Sequence, residues 1–355
     1  VIRAALLALL LAQERLPSFR GQVLDDALAD LWAMSVADVN GDGRPDVLAL
    51  NWEPAYVVWY ENPGWKKHTL IEKVPRGLVA LQPIEVDGTA AFVLGAEYHE
   101  PPDPKKGGGG IHLFRPGGVP LKLGEAPTLH RIHLLDGKDL VCSTLHGPTF
   151  VLRRPAKPFE EQWARETVAE RLGACHNTLS VDWDGDGKEE ILTASREGLL
   201  LWKKRGAWEK TLLFKGNGGV SEVAVGRGPG GKRYVATIEP HHGAEFCVYT
   251  EAGGAWTREL LLVNKGGHTL VSADLTKTGV DSLLAGFVGR YSDAPGGPVW
   301  HLFHPTEAGW ERRVLDDTKL PGEDGAVADL DGDGRLDCVL AGGKRVKVWW
   351  QGQPR

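Results

Sequence analysis

V-A-D-V-N-G-D-G-R-P-D-V-L-A-L, residues 36–50, decides the fold, because the chain repeats it. Residues 180–194 read S-V-D-W-D-G-D-G-K-E-E-I-L-T-A, and residues 327–341 read V-A-D-L-D-G-D-G-R-L-D-C-V-L-A. Residues 272–286, S-A-D-L-T-K-T-G-V-D-S-L-L-A-G, keep the frame but lose the acidic run. Weaker copies beginning at Leu78, His130 and Val220 fill the gaps. Six steps lead from Asp38 to Asp329, a period of roughly 48 residues, the length of a propeller blade.

Each copy continues alike. A second apolar strand leads to a third ending in aromatics, V-V-W-Y-E-N at Val57, L-L-L-W-K-K at Leu199 and V-K-V-W-W-Q at Val346. A fourth opens on Trp and alternates: W-K-K-H-T-L-I at Trp65, W-E-K-T-L-L at Trp208, W-T-R-E-L-L at Trp256 and W-E-R-R-V-L at Trp310. Short alternating runs are the mark of half-buried strands. The last copy stops after its third strand, whereas F-R-G-Q-V-L-D-D at Phe19 matches W-E-R-R-V-L-D-D at Trp310 and has no blade of its own. The chain is therefore expected to be an all-β, seven-bladed β-propeller over residues 13–355, its last blade closed by the strand from Phe19. Closure hides sheet edges that would otherwise pair with other chains. Most of the thirteen Trp residues fall at repeat positions and are read as packing between blades; Trp32 and Trp52 stand free of the pattern.

The 355 residues are 42% hydrophobic with a net charge of −6, and no basic segment stands out. Phosphate backbones need clustered Lys and Arg, so nucleic acid is not the expected partner. Cys142, Cys175, Cys247 and Cys338 sit singly in apolar runs and are read as buried thiols. Arg3 followed by the apolar run Ala4–Ala12 has the layout of a secretory signal over residues 1–12, too short to span a bilayer, which implies an exported protein, periplasmic or extracellular.

In the acidic loop, side-chain oxygens stand at positions one, three, five and nine. These are Asp38, Asn40, Asp42 and Asp46; Asp182, Asp184, Asp186 and Glu190; Asp329, Asp331, Asp333 and Asp337. Glycine at position six permits the sharp turn, and the oxygens suit a hard cation, so structural Ca²⁺ is expected. Position twelve carries Ala49, Thr193 or Leu340 where an EF-hand needs Glu, and strands flank the loop.

Blade topology then sorts the remaining polar residues. The start of strand one and the end of strand two lie on the face opposite the acidic loops. That face collects Trp32, His130, His176, His268 and Glu323 from strand starts, and Trp52, Glu97, His99, His146, Arg196, Glu239, His241, His242 and Arg290 from strand ends. Six histidines thus converge from blades three to six. Grouped neutral imidazoles suit a transition metal, most naturally Zn²⁺, with His130, His176, His242 and His268 as candidate ligands. His146, His241 and Glu239 are the candidate acid–base groups; Arg196, Arg290, Trp32 and Trp52 are the candidate substrate contacts. His68, His112, His133, His301 and His304 fall on outer or mid-strand positions and are assigned no role. Gly- and Pro-rich insertions at Pro101 and Arg290 are placed at the rim of the same face.

The D-x-[DN]-G-D-G loops resemble those of the FG-GAP/VCBS repeat propellers across nearly the whole chain. A narrower likeness is to the propeller of aldos-2-ulose dehydratase-like proteins, carried by T-L-H-R at Thr128, T-L-H-G-P at Thr144, I-E-P-H-H-G at Ile238 and G-G-H-T-L-V-S-A-D-L at Gly266. That resemblance implies a metal-dependent lyase that eliminates water or alcohol from an oxidised sugar. The competing reading is a non-catalytic, Ca²⁺-stabilised propeller that binds a glycan or protein through Trp32 and Trp52.

Overall fold

The computed structural model describes residues 16–71, 73–99, 105 and 108–352. The leader-like segment lies outside the described residues, as does most of the insertion at Pro101. Strands form seven four-stranded antiparallel sheets, six of them wound outward in chain order and the seventh completed at its outer edge by the N-terminal strand. The innermost strands are Leu31–Ala37, Ala80–Val86, Leu129–Leu135, Asn177–Val181, Glu222–Arg227, Gly267–Ala273 and Asp324–Ala328. Each touches the next, and the seventh returns to the first, so the sheets close a ring around a central channel. Among the described residues, no helix is long and apolar enough to cross a membrane.

Radial position explains the sequence pattern. Second strands such as Asp46–Asn51, Asp139–Thr144, Glu190–Ser195 and Asp337–Gly342 are buried along their whole length, sandwiched by neighbouring blades. They accordingly read as near-continuous apolar runs. Fourth strands such as Ala207–Phe214 and Ala255–Val263 lie at the rim and are largely exposed. The core sits between blades: Leu48, Leu50 and Val57 of blade one pack on Leu81, Phe92 and Leu94 of blade two. Each such aliphatic side chain contributes roughly 1.5–3 kcal/mol through burial. Trp300 is fully buried, and a Cβ on Gly286 or Gly325 would meet its indole within 3.0 Å, so those glycines make room for the ring between blades six and seven.

The expected closure is present. Phe19–Asp25 runs antiparallel to Arg345–Gln351, with Phe19 opposite Gln351 and Arg20 opposite Trp350. All four cysteines are free and buried.

The acidic loops join first to second strands, and their side-chain oxygens hold the backbone of the turn. Asp38, Asp182 and Asp329 each accept the backbone N–H groups of positions four and six, as in Asp329 to Gly332 (2.9 Å) and Gly334 (2.8 Å). Those glycines adopt left-handed φ, near 80° at Gly43, Gly187 and Gly334. Position nine is buried at the base: Asp46 accepts from Val39 N–H, Glu190 from Trp183 N–H and Asp337 from Leu330 N–H. Positions three and five accept the N–H two residues on through one oxygen, as in Asp42 from Arg44 (2.9 Å) and Asp333 from Arg335 (2.8 Å). In blade four the Lys203 ammonium already stands among them, 3.1 Å from Asp186 and 3.0 Å from Glu190 and paired also with Asp184.

Candidate metal centre

Strand pairing sets the composition of the face opposite the acidic loops. Leu129 pairs with Thr144, Asn177 with Ala194, Glu222 with Ile238 and Gly267 with Phe287, so strand-one starts meet strand-two ends there. His176 precedes its strand and is held by its N–H on Ala194 O at 3.0 Å. His242 lies in the turn after Glu239, at a left-handed φ of 48°, its N–H on Ser221 Oγ. Few non-glycine residues adopt that backbone, and here it carries a ring that reaches blade four.

His176, His242 and His268 bring one ring nitrogen each within 4.8 Å of the others. His176 Nε2 and His242 Nε2 are 2.7 Å apart, and the His176 and His268 ring centres are 5.0 Å apart. Two ligands of a tetrahedral Zn²⁺ stand about 3.3 Å apart, so the trio fits an ion after a small parting of the rings. His176 and His268 are buried and His242 nearly so. Their Nδ1 atoms are turned away from the cluster: His268 Nδ1 lies 2.8 Å from Glu323 O, and His176 Nδ1 lies 2.5 Å from Glu222 Oε1. The His268 Nδ1–H held by that carbonyl leaves the Nε2 lone pair free for a metal, whereas His176 Nδ1 and Glu222 Oε1 are close but outside hydrogen-bond geometry.

Burial, then neighbouring positive charge, disfavours the imidazolium throughout the cluster. His176 and His130 are held well below the ordinary histidine value, His242 is lowered, and His268 is pushed down to about 3. Neutral rings are the state a metal ligand requires. Burial also pushes the Glu222 carboxyl up to about 8 and Glu323 up to about 7.

The remaining predicted residues divide. His130 packs on His176 at 4.5 Å between ring centres, with its Nδ1 3.0 Å from His176 O, but does not belong to the trio. His241 stacks on His242 at 4.2 Å, and its buried Nδ1 has no hydrogen-bond partner. Burial and the nearby charges of His146 and Arg196 hold His241 near 4. His146 is exposed at the edge of blade three, opposite Gly173, whose carbonyl accepts Arg196 N–H at 2.7 Å. Trp32 and Trp52 lie against each other at 4.7 Å, and Tyr98 bridges them to His130 by edge contacts at 5.7 and 6.1 Å.

Glu239 departs from its expected role, and Arg290 is found in an ion pair while remaining exposed. Glu239 is fully buried, and its carboxylate accepts from Thr237 Oγ1 (2.8 Å), Tyr249 OH (2.7 Å), Arg258 Nε (3.0 Å) and Asn217 N–H (2.9 Å). It braces blade five and is not available as an acid or base. Arg290 is bound to the buried Glu323 at 2.6 Å and lies over Tyr291, so its charge is already matched.

Sequence reasoning passed over Glu222, Asn177, Arg131 and Tyr291. Asn177 Nδ2 donates to Glu222 Oε2 at 2.5 Å, and the Arg131 guanidinium is 3.9 Å from Oε1. With His133, also passed over, and Asp324 these residues line the channel, a cavity of about 450 Å³ whose wall includes His268. Tyr291 lies 4.4 Å from the His242 ring. Glu222 opens its strand in V-S-E-V-A-V, the position His130 and His176 approach in their own blades; the missing acidic loop of blade five removed the marker that would have aligned it.

No family model and no curated protein matches the chain. Solved structures do. YCF48 bound to D1 peptide superposes with a TM-score of 0.55 at 13% identity, over 96% of this chain and 99% of that one. BBS1N in complex with ARL6DN gives 0.60 at 12% identity, over 95% and 97%. The extracellular domain of the putative one-component system BT4673 from B. thetaiotaomicron gives 0.59 at 10% identity, over 94% of this chain and 40% of that one. The chain is a seven-bladed β-propeller. At these identities the likeness speaks for the fold alone.

Proposed function

We propose that this exported propeller is a metal-dependent carbon–oxygen lyase acting on an oxidised sugar, with His176, His242 and His268 holding a Zn²⁺-type ion. The observation that carries the reading is the buried trio of neutral imidazoles, one of them, His268, oriented through Nδ1. Three protein ligands with an open fourth position is the arrangement of catalytic zinc. A bound ion would supply Lewis acidity, which acidifies the hydrogen beside a substrate carbonyl.

The chain's own residues account for the proton movements. Elimination removes a proton from the carbon next to the carbonyl and delivers one to the departing oxygen as the C–O bond breaks. His241, neutral and stacked on His242, is assigned the first proton. Exposed His146 delivers the second. Arg196 beside them holds substrate oxygens, and Trp32 with Trp52 offers a stacking surface for a sugar ring. The same pair supports a second reading, a glycan- or protein-binding propeller without catalysis.

The experiment is metal analysis of purified protein, joined to a spectrophotometric assay on a keto-glycoside, because elimination next to a carbonyl creates an ultraviolet-absorbing enone. The lyase reading expects about one transition metal per chain and an enone signal that chelator abolishes. Metal-free protein that still binds glycan through Trp52 would replace it with the binding reading.

A further inference from the structure

We propose that Glu222 is the positioning residue of the histidine centre, set against the His176 ring so that it ionises and orients the ring when a divalent ion binds. The inference rests on the metal reading above and extends it to a residue in the blade five wall of the channel.

Glu222 and His176 come from adjacent innermost strands, and both side chains are buried, 3% and 0% exposed. Glu222 Oε1 lies 2.5 Å from His176 Nδ1, at an angle outside hydrogen-bond geometry that leaves both buried atoms without a hydrogen-bond partner, on the side of the ring opposite the Nε2 that meets His242. A small turn of the ring would direct an Nδ1–H at Glu222 and leave the lone pair on Nε2, where the trio converges. His268 is turned in the same sense, but by the neutral carbonyl of Glu323. Glu222 is thus the one group of carboxylate type that contacts an Nδ1 of the trio among the described residues. A carboxylate in that position raises the basicity of the ligand and compensates part of the cation's charge.

The carboxyl group is itself held. Asn177 Nδ2 donates to Oε2 at 2.5 Å, and Asn177 Oδ1 lies 3.2 Å from His133 Nε2. Arg131 stands 3.9 Å from Oε1 across the channel wall. Three blades therefore converge on one acid, which is more scaffolding than a chance buried glutamate needs. With its shape set from both sides, the carboxyl can turn His176 but cannot swing to bind the ion in its place.

The test titrates chelator-stripped protein with Zn²⁺ against a competing indicator dye, and follows Co²⁺ release with pH by visible absorption. Glu222→Gln preserves shape and removes charge; it is expected to weaken Zn²⁺ binding about 10–100-fold and to move Co²⁺ release to higher pH, with the circular dichroism spectrum unchanged. Asn177→Ala, which frees the carboxyl without touching a ligand, is expected to give a smaller loss in the same direction, and it decides the matter if Glu222→Gln fails to fold. Zn²⁺ affinity within twofold of wild type in both variants overturns the positioning role while leaving the metal reading intact. Wild-type protein that takes up no Zn²⁺ overturns the metal reading itself.

Discussion

His176 is the residue on which the face is built. Its ring touches His130, His241, His242 and His268, its carbonyl lies by His130 Nδ1, and its Nδ1 reaches Glu222. Truncation to Ala removes one ligand and the ring against which the others pack, yet leaves the blade hydrogen bonds in place. His176→Ala is expected to reduce transition-metal content from about one per chain to near zero while retaining a cooperative melt. His133→Ala, in the same channel but outside the trio, is expected to keep its metal. Elemental analysis of the two variants side by side checks this; equal metal in both would remove the trio from consideration.

At the scale of the element, the acidic loop shows how one motif is divided between turn and ion. Its first and ninth residues hold backbone N–H groups, a task that Asp274 also performs in blade six, where the other acids are gone. The third and fifth residues also accept backbone N–H groups, and the second carboxylate oxygens of the fifth are left to meet a cation. Lys203 meets them in blade four from within the chain. Ca²⁺ is expected to raise the melting temperature of the protein chiefly through the loop of blade one, since Arg335 pairs with Asp333 in blade seven. Lys203→Met should enlarge that Ca²⁺ effect, since the blade four loop then depends on an external charge. Melting curves with Ca²⁺ and with chelator test it, and an identical Ca²⁺ increment in the variant and wild type would show that the lysine does not stand in for an ion. Asp182→Ala is expected to cost about 1–2 kcal/mol through its lost charge-assisted hydrogen bonds, without altering the histidine face on the far side of the ring.

The whole molecule carries opposing buried groups around its channel, and they set the pH dependence of the metal-free form. Burial holds His133, His241 and His301 near 4 and His268 near 3, against about 6.5 for an unfolded histidine. Between those values the unfolded chain binds more protons, so stability is full above about pH 6.5 and is lost as pH falls. Glu222 and Glu323 run the other way. Their folded values, about 8 and about 7, lie above the unfolded value near 4.3, so their stability is present at low pH and lost as pH rises through that range. The two trends cross near pH 7, with a slope on either side of about 1.4 kcal/mol per pH unit for each group left unbalanced. Melting temperatures in chelator from pH 5 to 9 should therefore pass through a maximum near neutrality. A steady climb to pH 9 would contradict the buried acids, and a flat curve would contradict both sets.

Repeat spacing, the aromatic third strands and the orphan strand at Phe19 determined the seven blades and their closure without coordinates, because each is a local pattern whose period the chain itself displays. The crowding of histidines on one face followed by topology alone, since strand direction decides which end of each strand faces which side. What tertiary structure decided is where side chains point. Glu239 and His242 are three residues apart in one turn, but alternation at the strand end buries Glu239 against Arg258 and Tyr249, while a left-handed backbone turns His242 toward the channel. Arg290 found Glu323 and His176 found Glu222 across blade boundaries, contacts between residues 33 and 46 positions apart. Such pairings depend on the close packing of adjacent blades, and the repeat that reveals the blades holds no trace of them.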